Sequence, residues 1–136
     1  MLVPQGTLYC KAHTRTRAEL NKEYDTNARD KKRKSFYNSS EWKKARALAQ
    51  IRDNGIDVYL FVTKGEVVAA DVVHHIIELK EDYSKRIDLS NLISVSDATH
   101  EGPIKAAYAD PVKKEKMQQK LRECNKKYEE MMGMGV

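Results

Sequence analysis

The sequence predicts an α+β fold: one small domain with extensions. Three observations predict it. "NSSEWKKARALAQIRDNG" and residues 111–132 space their apolar residues as helices do. "DVYLFV" and "VVAADVVHHII" read as short strands. At 136 residues, with 33% charged and 40% hydrophobic, the chain can bury only a modest core.

Residues 1–34 lack a sustained apolar period and read as a basic arm, with a helical stretch near 16–29. The next helix has Asn38 as its N-cap and Glu41 at the capping-box position. Trp42, Ala45, Leu48 and Ala49 form its apolar face, and Gly55 ends it. "DVYLFV" is then a strand, "TKGE" a turn, and "VVAADVVHHII" a second strand or a pair of short ones. "KEDYSKRIDLS" is a polar loop and "NLISV" a short apolar segment. A helical stretch is expected over 97–108, interrupted at Gly102-Pro103. In the last helix Met117, Leu121, Cys124, Tyr128 and Met131 form an apolar stripe that packs on the core. The tail "MMGMGV" reads as frayed. Domain boundaries at 1–34, 35–110 and 111–136 follow.

No apolar run approaches the ~20 residues of a membrane span, and the N-terminus has no signal-peptide character. Cys10 and Cys124 are not a disulfide framework, so a cytoplasmic setting is expected. Cys10 and His13 look like half of a zinc knuckle without its partner pair. The net charge of +5 is uneven. Residues 11–34 hold nine Lys/Arg against four acids, and 113–130 hold seven against four. Residues 71–101 hold three against seven. Basic flanks around an acidic centre suit a polyanion gripped at the flanks and a cation held at the centre.

The chain's other three histidines form a pattern: His74-His75, then Asn91 sixteen positions after His75, then His100 nine further on. "SFYNSSEWKKAR", "ADVVHHIIELKED" and "RIDLSNLISV" carry the resemblance. Together they resemble the HNH endonucleases, in particular the small ones that tailed phages encode beside their DNA-packaging genes. The likeness spans roughly residues 35–100, about half the chain.

The resemblance implies a ββα-metal core, the HNH or His-Me finger, with flanking N- and C-terminal helices. It also implies metal-dependent hydrolysis of DNA phosphodiesters, nicking duplex DNA with little sequence preference. His75 would be the general base, a role suited to an imidazole that titrates near neutrality. His74 and His100 would be the two metal ligands, leaving positions open for water and phosphate oxygens. Asn91 would pin the loop beneath His75 and orient its ring. Adjacent strand residues face opposite ways, so the two histidines can share a site only at a bend or a strand end. The expected ion is magnesium or manganese, with zinc and nickel credible by ligand preference. Arg29, Lys31, Lys32, Arg33, Lys34, Lys43 and Lys44 are the expected DNA contacts. The phage likeness implies a role in genome packaging with the terminase large subunit and portal.

Two departures stand out. Many relatives bind a structural zinc through two CxxC pairs, and the matching positions here hold Val58, Phe61, Ser96 and Thr99. No structural zinc is therefore expected, since such sites are closed and four-coordinate. Burying a Val or Phe contributes ~1.5–3 kcal/mol, against ~10 kcal/mol for a structural zinc. The C-terminal helix is the candidate compensation. The second departure is "THEGP", which restarts or kinks the helix just after His100. It favours the alternative of a catalytically weakened HNH-derived DNA-binding protein; a third reading is a nuclease acting on RNA.

Overall fold

The structure, a computed structural model, describes residues 17–133. Cys10, His13, the start of the basic arm and the end of the tail lie outside the described residues. The chain divides into two units between Phe36 and Tyr37. In the first, helix α1 runs over Arg17–Tyr37 and its final residue begins the second unit. The helix expected near 16–29 thus continues through the dense basic run, where Arg33 pairs with Asp30 at 3.0 Å. Arg29, Lys31, Lys32, Arg33 and Lys34 are all exposed on it.

The second unit opens with α2, Ser40–Arg52. Its N-cap is Ser39 rather than Asn38: the Ser39 hydroxyl accepts from Trp42 N–H at 3.2 Å. The shift of one residue takes Glu41 out of the capping-box position and into the first turn, where it still favours the helix dipole. Trp42, Ala45 and Ala49 are buried as expected, whereas Leu48 is exposed. The helix ends in a Schellman arrangement. Gly55 N–H returns to Gln50 O, Asn54 N–H returns to Ile51 O, and Asn54 takes the left-handed φ of 56°.

"DVYLFV" is a helix, not a strand: α3 spans Val58–Lys64. Capping outweighs the β propensity of its residues. Asp57 accepts from Leu60 N–H at 2.8 Å, and Gly65 closes the far end at φ 69°. Val58, Phe61 and Val62 then share one face, three and four residues apart, against the core.

The expected second strand is real over Val72–His75, β1, and its partner is the "NLISV" segment, β2, Leu92–Val95. The two are antiparallel, with Val72 opposite Val95, Val73 opposite Ser94, His74 opposite Ile93 and His75 opposite Leu92. The connecting loop contains two 3₁₀ turns, Tyr83–Lys85 and Leu89–Asn91, capped by Asp82 and Asp88.

Helix α4 follows over 97–108, N-capped by Ser96. Pro103 neither stops nor restarts it. The turn His100–Ile104 widens to π geometry, and Lys105 N–H reaches back to His100 O, five residues away. Proline cannot donate to the carbonyl four residues earlier and its ring crowds that carbonyl, so a wider turn relieves the conflict. Helix α5, Pro111–Gly133, closes the fold.

The core comprises Val58, Ile76, Ile93, Val95, Ile104, Leu121, Cys124 and Tyr128. Leu121, Cys124 and Tyr128 of the α5 stripe are buried, Met117 packs at the edge, and Met131 is exposed. Of Val58, Phe61, Ser96 and Thr99, the first two join this core. Val58 is fully buried, and Phe61 packs edge-on to Tyr128 at 5.7 Å. Ser96 O–H donates to Thr99 Oγ1 at 3.1 Å. Asp57 joins the two halves: besides capping α3 it accepts from Ser96 N–H at 2.7 Å.

Candidate active site

Strand alternation sends the adjacent histidines to opposite faces at the end of β1. His74 turns toward α4. Its ring centroid is 5.2 Å from that of His100 and 5.1 Å from that of Tyr108, both edge-on. His74 is buried, and its Nε2 has no hydrogen-bond partner among the described residues. A buried polar atom without a partner costs about 1–3 kcal/mol, unless the site is built to receive something. Burial, and then the neighbouring His100 and His75, push the His74 pKa down to about 3. Its ring is neutral near pH 7, the form in which imidazole ligates metals. The π turn leaves His100 on α4 facing His74, half-buried, with Glu101 Oε2 3.2 Å from its Nδ1. Glu101 is exposed and also pairs with Lys105 at 3.2 Å, which holds its carboxyl below the usual range.

Among the described residues no cluster of three or more His, Cys, Asp or Glu side chains could hold a metal. His74 and His100 make a pair of imidazoles. The neutral His74 ring and its orphaned nitrogen fit a divalent ion.

His75 turns the other way, toward α2. Trp42 stacks on its ring at 4.9 Å and 27°, and Tyr37 packs edge-on to both rings. The Nε2 of His75 lies 2.8 Å from the main-chain oxygen of Arg86. A carbonyl only accepts, so Nε2 carries the proton and the lone pair of the neutral ring is on Nδ1. Facing Nδ1 at 3.4 Å is the Tyr37 hydroxyl. Burial lowers the His75 pKa, and the Arg86 carbonyl opposes that shift.

Asn91 is buried behind this histidine. Its Oδ1 accepts from Ile77 N–H at 2.8 Å, and its Nδ2 donates to Ile77 O at 3.0 Å and Lys85 O at 3.3 Å. It therefore ties the chain just past His75 to the residue before Arg86, whose carbonyl sets the ring. On the other side, Tyr108 O–H and Gln118 Nε2 both donate to Ile76 O, at 2.6 and 3.0 Å.

The structure thus brings His74 and His100 together, and ties Asn91 to the loop that holds His75. Lys43 and Lys44 are exposed on the first turns of α2. Arg29, Lys31, Lys32, Arg33 and Lys34 belong to the first unit. Sequence reasoning missed the surroundings of His75. Trp42 reads as an ordinary core residue at helical spacing, and Tyr37, Tyr108 and the Arg86 carbonyl carry no local signal.

No family profile and no curated protein matches the chain. A solved structure does: the HNH endonuclease of the deep-sea thermophilic bacteriophage GVE2, crystallised with manganese ion. It is 34% identical and superposes with a TM-score of 0.58, over 65% of this chain and 92% of that one.

Proposed function

This chain belongs to the HNH endonuclease family, and from that premise we propose that it hydrolyses DNA phosphodiester bonds with one divalent ion. The observation that carries the reading is the division between the adjacent histidines. His74 carries an orphaned Nε2 and its ring lies 5.2 Å from that of His100, while a carbonyl holds His75 in the tautomer a general base needs.

In this reading His74 and His100 hold the ion, and when bound it supplies positive charge for the phosphate and the departing 3′ oxygen. His75 Nδ1 takes a proton from the attacking water. The water oxygen bonds to phosphorus, the P–O3′ bond breaks, and solvent protonates the leaving oxygen. Arg86 O stabilises the resulting imidazolium through Nε2–H, and Asn91 keeps that carbonyl in place. Manganese in the GVE2 enzyme supports manganese or magnesium as the ion, while the two imidazoles also suit zinc or nickel. No structural zinc is part of this reading, because hydrophobic packing and a hydroxyl pair stand at the four relevant positions.

Double-stranded DNA is the proposed substrate, nicked with low sequence specificity. The +5 net charge and the exposed residues Arg29, Lys31, Lys32, Arg33, Lys34, Lys43 and Lys44 support this. The bacteriophage origin of the similar enzyme supports action in a bacterial host's cytoplasm. By the sequence likeness, the chain would work there beside the terminase large subunit and portal in genome packaging. Among the described residues no helix is long and apolar enough to cross a membrane.

Supercoiled plasmid incubated with the metal-stripped protein tests the proposal. Added manganese or magnesium should convert it to nicked circles and chelator should stop the reaction. Nicking that persists at full rate in excess chelator would overturn the metal-dependent mechanism.

A further inference from the structure

We propose that Tyr37 is a further catalytic residue, whose hydroxyl contacts the scissile phosphate and releases the base only when that phosphate is present. The inference rests on the nuclease reading above and deepens it. Three observations converge. The first is that Nε2 of His75 is committed to Arg86 O at 2.8 Å, so proton abstraction must use Nδ1. The second is that the group facing Nδ1 is the Tyr37 hydroxyl, at 3.4 Å. That separation is long for a donor oxygen, whose preferred hydrogen bonds are about 2.7–2.8 Å to oxygen. The contact is a weak one, ready to be exchanged. The third is that the Tyr37 ring is fixed while its side chain stays open to solvent. It meets Trp42 edge-on at 5.4 Å and 85°, and His75 at 6.0 Å and 68°, yet Tyr37 is 40% exposed.

A phenol hydroxyl has one proton and can turn it without moving the ring. With Nε2 protonated, the hydroxyl 3.4 Å from Nδ1 can turn its proton toward that lone pair. A phosphodiester that brings its phosphorus within reach of water on Nδ1 also brings a non-bridging oxygen beside the hydroxyl. The anionic oxygen is the stronger acceptor, since charge-assisted hydrogen bonds are shorter and about twice as strong. The proton turns to the phosphate, and Nδ1 is left to accept from the attacking water. One rotation both grips the substrate and uncovers the base. No bond is made or broken in this switch.

The test is a double-mutant cycle with Tyr37→Phe and His75→Ala, read by single-turnover nicking of plasmid with saturating manganese. Tyr37→Phe keeps the ring contacts and removes only the hydroxyl. The expected loss is about 10- to 100-fold, the usual size for one hydrogen bond to a charged group, with metal affinity and melting temperature unchanged. Because the hydroxyl touches phosphate directly, the same substitution should still slow the residual reaction in the His75→Ala background. A Tyr37→Phe variant as fast as the parent overturns the proposal. A faster one also overturns it, since the hydroxyl would then only mask the base. So does a loss that vanishes in the His75→Ala background, because Tyr37 would then act solely by positioning His75. A parent protein that fails to nick at all refutes the nuclease reading instead.

Discussion

His74 shows how burial keeps an imidazole neutral. Its ordinary pKa of 6.5 falls to about 3 in the folded chain, so the unfolded chain binds more protons between those values. The stability that the neutral His74 contributes is therefore fully present above about pH 6.5 and is lost as pH falls toward 3, at up to about 1.4 kcal/mol per pH unit. His75, also lowered by burial, acts in the same direction. Urea titrations of chelated protein at about pH 7.5 and about pH 5 should show a steep loss for the parent and a shallower one for His74→Asn. Equal losses would place the acid sensitivity elsewhere. Asn91 is the other residue-scale test. Asn91→Ala removes three hydrogen bonds to the loop around His75. Nicking should fall well over 10-fold while manganese affinity, measured by calorimetry, changes little. The spacing of His74, His75, Asn91 and His100 is visible in the sequence, and the fold sets His74 beside His100 and Asn91 against the loop at Lys85. The places of Tyr37 and Trp42 were not legible, because ring contacts between distant residues leave no periodic trace.

At the scale of elements, helices α2 and α5 were legible from their spacing and β1 from its apolar run. Helix α3 was not, because its residues favour strands and only the flanking Asp57 and Gly65 reveal a helix. Helix α4 was half legible. Pro103 announced a disturbance, but whether a proline breaks a helix or widens one turn depends on what the packing of Ile104 and Tyr108 can hold in place. Helix α5 supplies Leu121, Cys124 and Tyr128 to the core. Leu121 is fully buried in the core that Val58 and Phe61 join. Leu121→Ala should cost about 2–5 kcal/mol in a denaturant titration; a loss within experimental error would show that α5 is dispensable. Elemental analysis should find no tightly held zinc once His74 and His100 are both replaced.

Across the whole molecule, charge is unevenly spread. The first unit exposes Arg29, Lys31, Lys32, Arg33 and Lys34, whereas residues 71–101 around the histidines are acidic. Replacing those five by glutamine should flatten the log–log salt dependence of DNA binding by about 0.9 per lost phosphate contact. An unchanged slope would remove α1 from the DNA surface. The central claim is that one histidine of the pair holds metal and its neighbour moves the proton, and a manganese titration of nicking by His74→Ala and His75→Ala tests it most directly. A missing ligand can be replaced by water at high metal concentration, whereas a missing base at a fixed position cannot. His74→Ala should regain part of its activity as manganese rises. His75→Ala should stay about 10²- to 10⁴-fold below the parent at every concentration. Metal rescue of His75→Ala but not of His74→Ala would mean that the two roles are reversed, and parental rates in both variants would contradict the mechanism altogether.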